Sequence, residues 1–128
     1  MTEILWDVPL PPTQISNAEL IAHPGRQCEL LLETDEELGE SERFHLVFEG
    51  VEAYRCTYLT AITEEMVKHA YGALVRIETS SWLAEVSKRN AEFYAPQKQK
   101  PKDLQHLMIC LDDGPCYEVI CTNVRLPS

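Results

Sequence analysis

Hydrophobic positions in the first sixty residues recur at every second place. Ile4, Trp6 and Val8 alternate with Leu5 and Asp7, which predicts a short first strand. Pro9, Pro11 and Pro12 end it, because proline brings no N–H to a ladder. Residues 15–22 and 27–34 predict two more strands. Pro24-Gly25 between them suits a type II turn, with proline presetting φ and glycine accepting a positive value. Phe44, Leu46 and Phe48 alternate with His45, Val47 and Glu49 in the manner of a half-buried strand. Gly50 marks the next turn, and residues 53–59, rich in Tyr and Thr, predict a returning strand.

The period then lengthens to about 3.6. Met66, Val67, Ala70, Tyr71 and Leu74 share one helical face, and Glu64, Lys68 and His69 the other. Thr63 is the expected N-cap, and Glu64 and Lys68 have the spacing of a helix ion pair. A second short helix is expected to start after Ser80 or Ser81, to turn Trp82, Leu83 and Val86 inward, and to end near Lys88-Arg89, where cations suit the dipole. Residues 90–104 hold Pro96, Pro101, Lys98, Lys100 and Lys102. They read as a long basic connection: a solvated loop, a flap over a ligand, or a contact to the acidic half. A hairpin closes the chain. Leu107, Ile109 and Leu111 alternate with His106, Met108 and Cys110, Asp112-Asp113-Gly114-Pro115 supplies the turn, and residues 117–126 return.

The pattern predicts an α+β fold. It is mainly antiparallel and sandwich-like, with about seven strands and two consecutive short helices between strands five and six. At 128 residues and 14.6 kDa the expectation is a single domain, 1–128, with enough chain to build a core without staples.

Charge changes this picture more than composition does. Hydrophobic residues at 45% and charged residues at 25% are ordinary globular values. The formal charge of −10 argues against nucleic acid or an anionic membrane as a partner. The excess is local. Residues 1–50 hold eleven acids and two bases, and residues 51–128 hold ten acids and nine bases. The densest stretch runs from Glu33 to Glu42, with six acids in ten residues. Repulsion there favours a solvated loop between strands, and Asp35, Glu36, Glu37, Glu40 and Glu42 form a candidate surface for a basic partner. The stretch lacks the alternating ligands and central glycine of a calcium loop.

Residues 1–7 lack the basic and apolar regions of a signal peptide, and no apolar run reaches the length of a membrane span. The cysteines are Cys28, Cys56, Cys110, Cys116 and Cys121. Their odd number and the missing export signal predict reduced thiols in the cytoplasm. No C-x-x-C pair, P-loop, G-x-S-x-G elbow or H-E-x-x-H occurs, so no pattern calls for a cofactor or a resident metal.

Three weaker constellations remain. With a two-residue turn at Gly50-Val51, His45 faces Cys56. With a four-residue turn at 112–115, His106 faces Cys121. Two such pairs have the donor set of a Cys2His2 zinc site or of a thiolate–imidazolium pair, although a slip of one residue would undo either register. Asp112 and Asp113 are explained by turn chemistry, with paired catalytic carboxylates as the sharper reading. Glu118 lies in an apolar strand, and the same register sets it opposite Ile109. Burial there demands a partner or a raised pKa, and Arg55 is the candidate partner.

Three functions from different classes fit. The first is a protein-interaction or inhibitory module whose acidic half meets a basic protein, in the style of small toxin-neutralising immunity proteins; the analogy is one of charge only. The second is a small-ligand-binding domain with a pocket between sheet and helices. The third, ranked last, is an enzyme using His106, Glu118 or the cysteines.

Overall fold

A computed structural model describes residues 2–34, 42–112 and 115–127, and among them lie nine strands and two α-helices. The strands are β1 (Thr2–Asp7), β2 (Ile15–His23), β3 (Gln27–Thr34), β4 (Arg43–Glu49), β5 (Ala53–Thr57), β6 (Ala73–Ile77), β7 (Gln105–Cys110), β8 (Cys116–Cys121) and β9 (Asn123–Arg125). The helices are α1 (Glu64–Ala70) and α2 (Ser81–Tyr94). One sheet has the order β1-β6-β7-β8-β5 and the other β2-β3-β4-β9, with antiparallel pairing throughout.

The two sheets face each other across the main core. Alternation along β3 and β4 sends Cys28, Leu30, Leu32, Leu46 and Phe48 inward, where they meet Leu107, Ile109, Tyr117, Val119 and Cys121 of β7 and β8. β7 and β8 are also covered on their other face. There Met108, Cys110 and Cys116 pack with Val75 and with Ala70 and Met66 of α1. This double burial explains why His106 to Cys110 and Cys116 to Cys121 are almost wholly buried.

The α+β class and the antiparallel character hold, whereas the strand count and the placing of the helices do not. Thr63 caps α1 as expected, its Oγ1 accepting from Met66 N at 3.2 Å. The helix stops at Ala70, because Gly72 takes φ +68° with Pro12 packed where a Cβ would stand. Leu74 and Val75 therefore lie in β6, a strand between the two helices. The expected Glu64–Lys68 pair is replaced by Glu65–His69, at 3.8 Å. Ser80 caps α2, which runs on through Asn90 to Tyr94, so part of the expected loop is helix. The expected last strand splits at Thr122 into β8 and β9, which belong to different sheets.

Cys110 and Cys116 stand directly opposite each other on β7 and β8, and a disulfide joins them. This corrects the expectation of five reduced thiols; Cys28, Cys56 and Cys121 are free. Disulfides persist mainly in oxidising compartments, so the cysteine argument for the cytoplasm loses this support. Among the described residues, no helix is long and apolar enough to cross a membrane.

Gly50 carries the chain from β4 in one sheet towards β5 in the other, at φ +64°, and a Cβ there would collide with Thr122. Gly50→Ala is expected to cost about 2 kcal/mol, from left-handed strain plus displacement of Thr122. Urea unfolding measures this. A loss under about 0.5 kcal/mol, the level of an indifferent surface change, would contradict it.

Candidate functional site

Three sites carry chemistry-bearing side chains: a buried polar chain under α2, the outer face of the four-stranded sheet, and a cleft beside α2. In the first, β5, β8 and β7 bring Arg55, Glu118 and His106 together. Arg55 is the direct cross-strand neighbour of Glu118. Its Nε donates to Glu118 Oε2 at 2.7 Å and its Nη2 to Oε1 at 3.0 Å. From the other side His106 Nε2 meets Glu118 Oε1 at 2.9 Å. An ionised carboxylate only accepts, so Nε2 carries the proton. His106 Nδ1 lies 2.8 Å from Ser80 Oγ, which also accepts from Leu83 N as the cap of α2. Trp82 closes the cluster. The Arg55 guanidinium sits 4.1 Å above its ring, and the His106 ring meets it edge-on at 5.1 Å.

Burial alone would push the Glu118 carboxyl up. Hydrogen bonds from His106 and Arg55, with their charges, outweigh it and hold the carboxyl down at about 2. Glu118 is thus an ionised, fully partnered group. It is only 3% exposed, and His106 only 4%.

The sequence found the Arg55–Glu118 pair through the wrong register. Cys110 pairs with Cys116, so the turn spans five residues, 111–115, and every β8 partner shifts by one. Glu118 faces α2 with His106 and Met108, not the inter-sheet core with Leu107 and Ile109. The zinc reading fails with the same slip. His106 pairs with Ile120 and not with Cys121. His45 pairs with Leu31, and Cys56 lies in the other sheet opposite Tyr117. Burial raises the Cys28 thiol to about 11 and Cys121 to about 12, which keeps both protonated. Asp112 accepts from Tyr71 Oη at 2.8 Å, and Asp113 lies outside the described residues.

Ser80, His106 and Glu118 have the order of a hydroxyl–imidazole–carboxylate chain, which sequence reasoning missed because it treated Ser80 only as a cap. Two features separate it from a nucleophilic triad. Ser80 lines neither the cleft beside Trp82 nor the one beside Thr79. The carboxylate that would support the imidazole is already neutralised by a bidentate arginine. What the arrangement does is lock β5, β7, β8 and the start of α2 together.

The second site is an open sheet face. Cross-strand register puts Glu19, Ile21, Glu29, Leu31, Glu33, His45, Val47, Glu49 and Arg125 on the side of the β2-β3-β4-β9 sheet away from the core. These residues are half-buried or exposed. Glu29 stands between Ile21 and Val47, and Leu31 between Glu19 and His45, so apolar and charged side chains alternate across this face. Arg43 lies 3.7 Å from Glu33, Arg125 3.5 Å from Glu49, and His23 3.2 Å from Glu29. Asp35, Glu36, Glu37 and Glu40 of the acidic stretch follow β3 and precede β4 in the sequence. Thr34 and Glu42 close its base, with Thr34 N donating to Glu42 O at 3.0 Å and Glu42 N to Thr34 Oγ1 at 2.7 Å. Glu42 is exposed; Asp35, Glu36, Glu37 and Glu40 lie outside the described residues.

These features define a two-sheet α+β protein with an open acidic sheet face and a buried ionic lock. Compared with known proteins, the chain matches no family model, no curated protein and no solved structure.

Proposed function

We propose that this chain is a protein-interaction module, inhibitory in the style of an immunity protein, whose open acidic sheet receives a basic protein. The observation that carries the reading is the coincidence of an uncovered sheet face with the charge excess. The face and the sequence between β3 and β4 hold nine acids, Glu19, Glu29, Glu33, Asp35, Glu36, Glu37, Glu40, Glu42 and Glu49, against Arg43 and Arg125, a net of −7 with histidines neutral. Acids interleaved with Ile21, Leu31 and Val47 suit a partner whose contact surface mixes cations with apolar side chains. The fully partnered state of Glu118 and the capping role of Ser80 weigh against the enzyme reading.

The test is charge removal without unfolding. Glu19→Gln, Asp35→Asn, Glu36→Gln, Glu37→Gln and Glu40→Gln are combined in one variant. Its thermal midpoint is expected to stay within a few degrees of the parent, since each change keeps the size of the side chain and relieves repulsion between neighbouring acids. Recovery of a basic protein from the native host, scored by mass spectrometry, is expected to fall about tenfold or more. Equal recovery with parent and variant would refute the proposal.

A further inference from the structure

A cleft of about 350 Å³ lies between α2, the β2–β3 turn and the start of β5. Its wall combines Trp82, Phe93 and Tyr94 with Arg26, Arg89 and Glu52. Phe93 is 59% exposed, and its ring meets Tyr94 edge-on at 5.1 Å. Large exposed aromatic surface around a concavity is the usual lining of a small-molecule site.

The charge here runs against that of the protein as a whole. Arg26 and Arg89 line the cleft against the single acid Glu52, while Lys102 pairs with Glu52 and Glu85 with Arg89 from outside the lining. Glu52 is already saturated on one oxygen. Its Oε1 accepts from Arg26 Nη1 at 2.8 Å, Asn90 Nδ2 at 2.9 Å and Lys102 Nζ at 3.2 Å. Arg26 and Arg89 each use one terminal nitrogen in their ion pairs with Glu52 and Glu85, and a guanidinium offers five donors.

The backbone supports the same conclusion. Arg26 has φ +62°, a left-handed conformation costly for a residue with a Cβ, where glycine would fit freely. Its carbonyl accepts from Val51 N at 2.8 Å, which fixes the turn. Its guanidinium reaches Glu52 and, at 3.4 Å, the Tyr94 hydroxyl. A strained position is thus occupied by the side chain that brings a cation to the cleft.

We infer that this cleft binds a small planar aromatic anion, its ring against Trp82 and Phe93 and its anionic group on Arg26 and Arg89. The inference does not depend on the protein-interaction reading, because it uses none of the residues of the acidic sheet. Carboxylate and phosphate are the two sources of such an anion, and the test separates them.

Trp6→Phe leaves Trp82 as the sole tryptophan, so that its fluorescence reports on the cleft. Phenylacetate and adenosine 5′-monophosphate are titrated separately. Saturable change with phenylacetate assigns a carboxylate, and with the nucleotide a phosphate. Benzyl alcohol, which keeps the ring without the charge, is expected to bind at least about tenfold more weakly. Arg89→Ala, at a side chain 74% exposed, leaves the core untouched and is expected to weaken binding of the anion about tenfold. No saturable change with either anion up to about 10 mM, weaker than any specific affinity, overturns the inference. So does equal affinity for the alcohol, or unchanged affinity in Arg89→Ala.

Discussion

Glu118→Ala is expected to lower the stability of the folded protein by about 3 kcal/mol, the cost of leaving buried His106 without its acceptor and half-exposed Arg55 without its carboxylate. The loss has identifiable parts. His106, 4% exposed, keeps a polar N–H with nowhere to donate, and Arg55 loses both hydrogen bonds that hold it over Trp82. Glu118→Gln retains an acceptor for His106 and gives up the charge, so its expected cost is smaller, about 2 kcal/mol. The pH dependence follows from the sign of the shift. The carboxyl is held at about 2 in the fold, below its ordinary value of 4.5. Its contribution is therefore fully present above pH 4.5 and is lost as the pH falls towards 2. Over that window it amounts to on the order of 3 kcal/mol. Denaturant unfolding of parent and Glu118→Gln at several pH values measures it. The difference between the two is expected to shrink with acid. A constant difference from pH 7 to pH 2 would mean that Glu118 is not the ionised centre of the cluster.

Phe48→Ala is expected to cost about 3–5 kcal/mol by leaving a cavity between the sheets. Phe48 is 1% exposed and sits near the end of β4, with Cys28 of β3 on one side and Val124 of β9 on the other. Its ring faces the five-stranded sheet, which is anchored by its own ladder and cannot collapse freely into the gap. Urea unfolding should show a lower midpoint with an unchanged denaturant slope. A loss below about 1 kcal/mol would contradict face-to-face packing of the two sheets at this point.

The sequence was legible where one local pattern decides the outcome. Two-residue alternation placed β3 and β4, and Thr63 and Ser80 marked the helix starts because a cap is a local device. It was misread where distant partners decide. Leu74 and Val75 continue the helical stripe of Met66 and Ala70, yet they form β6, because β1 and β7 offer a ladder on both sides. β4 and β5 look like a hairpin, yet Gly50 sends them into different sheets. β9 is only three residues long, and nothing local separates it from β8. Arg55 and Glu118 were paired correctly because a carboxylate in an apolar strand needs a cation. Their setting was wrong because one extra residue in the 111–115 turn flips the face. The charge excess was legible as a number, and the use proposed for it rests on the open sheet face that holds Glu19, Glu29, Glu33 and Glu49. The Arg26 cleft left no sequence signal, since Arg26, Trp82 and Arg89 come from separate elements.

The most direct test of the central claim is the association rate of this protein with the proposed basic partner, once recovered, as a function of ionic strength. Steering by the acidic sheet predicts a rate that falls steeply between about 50 mM and about 500 mM salt, and a much flatter dependence for the variant lacking the charges at Glu19, Asp35, Glu36, Glu37 and Glu40. Identical salt dependence in parent and variant would contradict it.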